Sequence, residues 1–210
     1  MLTLYGDALW ESPYVFSVFV ALREKGLDFD TVVIDLERGE QRQAPFAVAS
    51  LTAKVPAIEH DGFWLTESLA IVEYLEERFP APDHPPVLPA DIEGRARARQ
   101  MLGFLRSGIE QLRAERPTSS LFFERARAPL GDRARADADR LVQLVERVLP
   151  AGATALFSRW SICDAEVSLA LHRLIQNGDV VPAAVRAYAE ANWSRPSVRG
   201  YVEHERPLRG

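Results

Sequence analysis

The hydrophobic pattern of the first third of the chain alternates between strand and helix periods. Residues 2–5 alternate as a short strand does, and residues 15–22 form an apolar run long enough for a buried helix. Ser12 and Pro13 precede that run, and both residue types are favoured at helix starts. A second strand is predicted at residues 29–34, directly after the helix. Strand, helix and strand with short links predict a parallel βαβ unit.

A hairpin and a helix are predicted next. Two short apolar runs, residues 55–58 and 63–65, are separated by Asp61-Gly62, a dipeptide typical of tight hairpins. The following helix has a buried face whose members are spaced by four: Ile71, Leu75 and Phe79. The pattern of the first 80 residues is therefore βαβ, an irregular middle, ββ and α.

Beyond residue 80 the pattern becomes helical only. A proline-rich linker, which no helix could cross, is formed by Pro80, Pro82, Pro85, Pro86 and Pro89. Helical apolar spacings then recur in three segments: Leu102, Leu105, Ile109 and Leu112; Leu141, Leu144, Val145 and Val148; Val167, Leu171, Leu174 and Ile175. Shorter helices are expected after Pro182 and Pro196. We predict an α/β domain at residues 1–80, a linker at 81–90 and an all-α domain at 91–210.

Composition narrows the function classes. Residues 1–80 carry a net charge of −8 and the remainder +3, so neither part is basic enough to indicate nucleic acid as a partner. No apolar run is long enough for a membrane span, and no signal peptide is visible. Cys163 is the only cysteine, which excludes an intrachain disulfide and fits a reducing cytoplasm. The four histidines are scattered, so no metal site is expected.

Ser12 is the first candidate for chemistry. A hydroxyl at a helix start can accept a bond from a helix N–H group and still donate its own hydrogen outward. The partial positive charge of the helix N-terminus stabilises a neighbouring anion such as a thiolate. On local evidence alone, an ordinary N-cap is the favoured explanation of Ser12.

Two further segments could bind a peptide-like ligand. If the Val55-Pro56 bond were cis, the Val55 backbone would turn outward and could pair with a ligand as an added strand; a trans turn at a strand edge is the alternative. In Thr66-Glu67-Ser68, the Ser68 hydroxyl and backbone N–H groups suit a carboxylate, and Glu67 suits an ammonium. Simple capping of the helix by Thr66 is the alternative there.

Taken together, these segments resemble the glutathione transferase superfamily over nearly the whole chain. The resemblance is carried by LxLYG, SPYVFSVFVALREKG, KVPAIEHDGFWLTESLAIVEYLEERFP and SICDAEVSLALHRL. The segment RARARQMLGFLRSGIEQLRAERPT is similar to a bacterial serine-type subgroup, related to the theta and zeta classes. The family implies a thioredoxin-like domain (βαβ-α-ββα) joined to a helical bundle.

The resemblance also implies a site. It implies a cis peptide before Pro56, a hydrogen bond from Ser12 to the glutathione sulfur, backbone pairing of Val55 with the cysteinyl residue, and a γ-glutamyl pocket at Glu67 and Ser68. Lys54 and Gln41 occupy positions that reach the glycine carboxylate in related classes. Tyr5 is the rival for the sulfur, because other classes use a tyrosine near the first strand.

The resemblance implies an enzyme that lowers the pKa of the glutathione thiol, so that the thiolate attacks a hydrophobic electrophile or a peroxide in detoxification or oxidative stress. Glutathione is then a co-substrate, no metal is needed, and a cytoplasmic homodimer is expected. Two alternatives stay open: a non-catalytic module for protein association or stress regulation, and a glutathione-dependent isomerase. Ser161 and Asp164 predict a capping box at a helix start, and Cys163 is expected to be buried without a catalytic role.

Overall fold

The computed structural model describes residues 1–207. Four strands and the first helices alternate in the predicted order, and every later element is a helix. The strands are β1 (Leu2–Asp7), β2 (Asp30–Ile34), β3 (Ala57–His60) and β4 (Phe63–Thr66). The helices are α1 (Pro13–Glu24), α2 (Phe46–Ala49), α3 (Ser68–Arg78), α4 (Ile92–Ser107), α5 (Glu110–Glu115), α6 (Ser119–Phe122), α7 (Asp132–Val148), α8 (Ile162–Ile175), α9 (Ala183–Trp193) and α10 (Pro196–Val202), with a 3-10 helix at Glu40–Arg42.

The sheet has the strand order β2-β1-β3-β4. β1 and β2 are parallel, which confirms the predicted βαβ unit, and both β1–β3 and β3–β4 are antiparallel. Asp61 and Gly62 both have positive φ angles, 50° and 87°, as a two-residue turn with the twist of a hairpin requires. The thioredoxin-like order βαβ-α-ββα, followed by helices, is confirmed.

The first helix is formed by residues that are buried nearly all round. Val15 through Leu22 are all buried, because α1 packs on α3 and β1. The helix ends at Glu24 with Lys25 as its C-cap residue, and Gly26 follows with φ 65°, a left-handed conformation that glycine adopts without a Cβ clash. This ending returns the chain to β2.

The first helix predicted after the linker is two separate helices in the structure. The apolar spacing from Leu102 to Leu112 suggested a single element, but α4 ends at Ser107 and α5 begins at Glu110. The Gly108 N–H bonds to the Phe104 carbonyl oxygen as the cap of α4, and Ile109 leaves helical geometry with φ −132° and ψ 41°. The four apolar residues are nevertheless buried, so the spacing identified the core positions and missed the break.

The helices predicted after residue 130 are confirmed, whereas Phe79, predicted on the buried face of α3, is the half-buried residue that follows the end of this helix. α7 and α8 contain the second and third apolar sets, α9 begins directly after Pro182, and α10 begins at Pro196. The Asp164 carboxylate accepts the Ser161 N–H at 2.8 Å, as a capping box requires. Burial, more than the adjacent acidic residues, raises the pKa of the Cys163 thiol well above its ordinary value. This thiol is a packing group.

The chain divides into two compact units. One contains Met1–Val87 and residues from Arg199 onward, and the other contains Leu88–Val198. The boundaries 1–80, 81–90 and 91–210 stay a prediction, and the structure adds the end of the described chain to the first unit. Within residues 1–207, no helix is both long and apolar enough to cross a membrane.

Candidate functional site

The strand registers bring all the predicted site residues to one end of the sheet. Asp7 pairs with Ile34 at the ends of β1 and β2, Tyr5 pairs with Ala57 at the start of β3, and Ala57 pairs with Thr66 at the end of β4. Chain segments that follow β1, β2 and β4 and the segment that precedes β3 therefore meet at this end. They carry Ser12, Gln41, Lys54, Val55, Glu67 and Ser68.

Ser12 is the N-cap of α1, with Pro13 as the first helical residue. Its Oγ accepts the Val15 N–H at 3.3 Å, and its backbone is extended, with φ −65° and ψ 122°. Because the oxygen accepts from the helix, the hydroxyl hydrogen can be donated to a group outside the helix. The first turn of α1 contains no acidic residue. A half-buried hydroxyl at a positively polarised helix end can therefore stabilise an anion.

The Val55-Pro56 peptide bond is cis, as the resemblance implied. Val55 lies just before β3 and packs against a small core of Ile34, Phe46 and Ala57. Among residues 1–207, its backbone N–H and C=O have no hydrogen-bond partner. An extended ligand could pair with them.

Glu67 and Ser68 form the start of α3. The Glu67 backbone has φ 68° and ψ 112°, and Ser68 is buried as the first helical residue. Capping by Thr66 is wrong, since Thr66 is the buried last residue of β4 and Glu67 is the N-cap, without a side-chain capping bond. Sheet and helix are joined through a single residue whose backbone is left-handed. The Glu67 carboxylate is exposed beside the helix N-terminus.

The remaining predicted residues differ in how well their surroundings suit a ligand. Lys54 is exposed next to Val55. Gln41 lies in the 3-10 helix after β2, and its Oε1 is buried without a hydrogen-bond partner in the described structure. The Tyr5 hydroxyl donates to Glu59 Oε2 at 3.4 Å. Burial, and then the Glu59 charge, raises the pKa of Tyr5.

Asp7 is a residue of this end that the sequence analysis missed. Its carboxylate accepts the backbone N–H of Glu11 at 2.8 Å and that of Ser12 at 3.2 Å. Burial raises its pKa, and the two N–H groups act in the opposite direction. An aspartate five residues before a helix N-cap was the available signal, because Asp side chains commonly bind nearby backbone N–H groups.

No three His, Cys, Asp or Glu side chains among the described residues are placed to hold a metal ion. The arrangement offers a hydroxyl at a helix start, an unpaired backbone N–H and C=O before β3, and a carboxylate beside a second helix start. These groups suit, in turn, a thiolate, a peptide-like segment and an α-amino acid end. Together, these groups are chemically suited to an anionic, peptide-like thiol.

Comparison with known proteins identifies a family of thiol-binding proteins by its two domains. A family model described as "Glutathione S-transferase, N-terminal domain" matches residues 11–78, and one described as "Glutathione S-transferase, C-terminal domain" matches residues 91–205. The chain belongs to the glutathione S-transferase family.

A crystal structure of a glutathione transferase homolog from Burkholderia gl BGR1, with bound glutathione, has a TM-score of 0.79 to this chain, 38% sequence identity, and coverage of 96% of each chain. Among curated proteins, Glutathione S-transferase Z1 of Arabidopsis thaliana is 34% identical over 101 residues, 48% of this chain and 44% of the relative. Maleylacetoacetate isomerase of Mus musculus is 39% identical over 97 residues, 45% of this chain and 44% of the relative. The alignments thus span less than half of these two curated relatives.

Proposed function

We propose that this protein is a glutathione transferase that binds glutathione at the shared end of its sheet and activates the sulfur with Ser12. The observation that carries the proposal is the Ser12 hydroxyl at the N-terminus of α1, at the same sheet end as the unpaired Val55 backbone and the Glu67-Ser68 helix start. The Burkholderia homolog with bound glutathione supports the choice of ligand.

Ser12 acts as a hydrogen-bond donor to the thiolate. A thiol with a pKa near 8.5 is mostly protonated at neutral pH. A hydrogen bond to a charged group contributes about 1.5–3 kcal/mol, equivalent to lowering the thiol pKa by about 1–2. The thiol proton passes to solvent, and the thiolate sulfur forms a bond to an electrophilic carbon. In a substitution that carbon releases a leaving group, and in an addition its π-electron pair moves to the neighbouring atom.

In this proposal, the tripeptide is held by five further residues: Val55, Glu67, Ser68, Lys54 and Gln41. The Val55 backbone pairs with the cysteinyl residue, and Glu67 and Ser68 bind the ammonium and carboxylate of the γ-glutamyl group. Lys54 is a flexible cation for the glycine carboxylate. Gln41 fits that role only through its amide NH₂, because a carboxylate accepts hydrogen bonds and does not donate them.

The test is Ser12→Ala, with Ser194→Ala as a control, because Ser194 is a helix-terminal serine whose hydroxyl donates to the Glu190 carbonyl in α9. We expect Ser12→Ala to raise the pKa of bound glutathione by about 1–2 and to reduce kcat/KM by roughly 10- to 100-fold, with little change in glutathione affinity. Thiolate absorbance against pH measures the first quantity. An unchanged thiol pKa would remove Ser12 from the mechanism.

A glutathione-dependent isomerase is the second candidate, supported by the similarity to maleylacetoacetate isomerase. The same thiolate would add to an activated carbon–carbon double bond, allow rotation about the resulting single bond, and leave by elimination. Turnover of a cis-enoic acid without consumption of glutathione distinguishes this reaction from transfer. A non-catalytic module would give no turnover of electrophile, peroxide or cis-enoic acid, whether or not it is retained on a glutathione-affinity column.

We also propose a homodimer in which the first unit of one copy contacts the helical unit of its partner. Val48 and Leu51 are 83% and 95% exposed, and they lie shortly before Lys54 and Val55 in the chain. The helical unit has a cavity of about 600 Å³ between α4 and α7, lined by Arg97, Gln100, Met101, Phe104, Leu144, Arg147, Val148 and Phe157. In this proposal, the exposed apolar side chains of one copy enter the partly apolar cavity of the other, because both surfaces favour removal from water.

Sedimentation of Leu51→Lys tests this dimer, with Val180→Lys as the control, because Val180 is 93% exposed elsewhere in the chain. A lysine against Arg97 and Arg147 would repel, so we expect Leu51→Lys to sediment as a monomer and Val180→Lys as a dimer. A dimeric Leu51→Lys protein would exclude this contact. The single buried Cys163 supports the further proposal of a cytoplasmic location.

A further inference from the structure

The loop between β1 and α1, residues 8–12, ends with Ser12 at the start of α1. Side chains that precede this loop and side chains near the end of the described chain hold its backbone. From its N-terminal side, the Asp7 carboxylate accepts the N–H groups of Glu11 and Ser12. From its C-terminal side, Tyr201 and Arg206 donate to carbonyl groups of the same loop. All of these residues belong to the first compact unit.

Tyr201 fixes the Ser12 carbonyl. Its hydroxyl donates to the Ser12 carbonyl oxygen at 3.0 Å, and that oxygen also accepts the Phe16 N–H at 3.0 Å. The Tyr201 side chain is fully buried, with its ring against the rings of Trp10, Phe16 and Phe19 at centroid distances of 5.4, 5.4 and 5.6 Å. A hydroxyl carried by such a packed ring has little freedom to move.

Arg206 fixes the carbonyl group of Trp10, two residues before Ser12. Its Nε and Nη2 donate to the Trp10 carbonyl oxygen at 3.1 and 2.9 Å. The guanidinium is held in turn by the carbonyl oxygens of Tyr201, Val202 and His204. The planar donor set of arginine thus joins the end of α10 to the loop.

The loop conformation requires such support. Trp10 has φ 50°, a left-handed conformation that costs a non-glycine residue on the order of 1 kcal/mol or more. Its indole ring stacks on His204 with centroids 3.7 Å apart. Two backbone hydrogen bonds, from Ala8 N–H to the Ile34 carbonyl oxygen and from Trp10 N–H to the Asp7 carbonyl oxygen, also support the loop, and residues 201–206 add the bonds that hold its Trp10 and Ser12 carbonyl groups.

We propose that Tyr201 and Arg206 are positioning residues for Ser12: by fixing the Ser12 and Trp10 carbonyls, they aim the Ser12 hydroxyl at the glutathione sulfur. The proposal rests on the proposed function. Hydrogen-bond donors are effective only when they are held close to the productive geometry, and small displacements cause large losses in rate. Tyr201 and Arg206 therefore affect the sulfur through Ser12 and do not contact it.

Tyr201→Phe is the main test, because it keeps the packed ring and removes only the hydroxyl. We expect the pKa of bound glutathione to rise and kcat to fall roughly 3- to 10-fold, with KM for glutathione nearly unchanged. Tyr74→Phe is the matched control. It removes a hydroxyl hydrogen-bonded to His60 Nδ1 at 2.7 Å in the same unit, at the opposite end of the sheet.

A double-mutant cycle separates positioning from a general loss of structure. If Tyr201 acts through Ser12, Ser12→Ala/Tyr201→Phe has the thiol pKa and kcat of Ser12→Ala alone. Additive effects would overturn the proposal, as would a Tyr201→Phe protein with a lower Tm and an unaltered thiol pKa. Arg206→Ala is expected to resemble Tyr201→Phe, and Arg206→Lys to restore part of the activity, since the lysine ammonium keeps a charged hydrogen-bond donor but loses the planar donor arrangement of arginine.

The same variants distinguish a failure of the positioning role of Tyr201 and Arg206 from a failure of the Ser12 mechanism. A thiol pKa that responds to Ser12→Ala and not to Tyr201→Phe or Arg206→Ala would reject positioning and keep the proposed function. A thiol pKa that responds to none of the variants would reject the Ser12 mechanism, and the positioning role with it.

Discussion

At the scale of single residues, two hydroxyl groups near the end of β1 compete for the sulfur. The Tyr5 hydroxyl donates to Glu59, and its ring is packed against Phe46 and Trp64. Ser12 donates to no described residue and lies at the helix N-terminus. Both the local charge and the available hydrogen therefore favour Ser12.

Tyr5→Phe tests this choice. Because the Tyr5 hydroxyl is engaged with Glu59, we expect the variant to keep the thiol pKa of bound glutathione and at least half of the wild-type kcat/KM. Titration of the glutathione thiolate by ultraviolet absorbance measures the pKa. A rise comparable with that in Ser12→Ala would transfer the sulfur-binding role to Tyr5.

Glu67 belongs to ligand binding in our proposal, and its effect is separable from that of Ser12. Glu67→Gln removes the negative charge expected to face the glutathione ammonium and leaves the sulfur untouched. We expect Kd for glutathione to increase about 5- to 10-fold, consistent with the loss of one charge-assisted hydrogen bond, and the thiol pKa to stay constant. Calorimetric titration gives the Kd. Glu77→Gln, an exposed change on the same helix, serves as the control, and equal affinities of the two variants would contradict the role of Glu67.

At the scale of elements, a buried ion pair joins α1, α3 and the linker. Lys25 Nζ lies 3.0 Å from Glu76 Oε2 and donates to the Pro85 carbonyl oxygen at 3.3 Å. Glu76 Oε2 also accepts the Val87 N–H at 3.0 Å. The Lys25 side chain is fully buried. Both charges are paired because an isolated charge at this depth would be strongly unfavourable.

Lys25→Met removes the buried positive charge that lies 3.0 Å from the Glu76 carboxylate. We expect it to lower the free energy of unfolding by about 3–5 kcal/mol, measured by urea denaturation. Lys25→Met/Glu76→Gln should recover a substantial part of this loss, because a glutamine side chain is neutral and its carbonyl oxygen can still accept the Val87 N–H. A double variant as unstable as the sum of its single changes would show that packing, and not charge, causes the loss.

At the scale of the whole molecule, His172 makes stability depend on pH. It is buried in α8, stacks on Trp193, and has Nδ1 2.8 Å from the Ser168 carbonyl oxygen. Burial, assisted by the charge of Arg186, lowers its pKa from 6.5 to about 4. The unfolded chain binds this proton more readily than the folded chain. The stabilising contribution is therefore complete above pH 6.5 and is lost as pH falls toward 4.

His172→Gln isolates that contribution. The linkage relation gives a wild-type loss of about 2–3 kcal/mol from this group between pH 7.5 and pH 4.5. We expect the variant to lose less stability than the wild type by about that amount over the same interval, even if its stability at pH 7.5 is lower. Guanidinium unfolding at the two pH values measures both losses, and equal losses would exclude His172 as their source.

Most of the fold followed from local signals. Ser12-Pro13 predicted the start of α1, Asp61-Gly62 the hairpin, and the prolines after residue 80 the end of the α/β part, because each residue type restricts its own backbone. The break at Gly108 was missed, since the apolar spacing continues across it. The end of β3 was also placed short, at Ile58, because strand ends depend on the partner strand.

The sequence alone determined the family and the identity of the candidate site residues, because short motifs such as LTES and KVP constrain the backbone within a few positions. Only the tertiary structure brought those residues to one end of the sheet, since that requires the parallel and antiparallel registers of four strands. It also revealed contacts over large separations: Lys25 with Glu76, and Tyr201 and Arg206 with the loop before α1. Hydrogen bonds between residues nearly 200 positions apart leave no periodic trace in one sequence, because their geometry depends on how the whole chain packs.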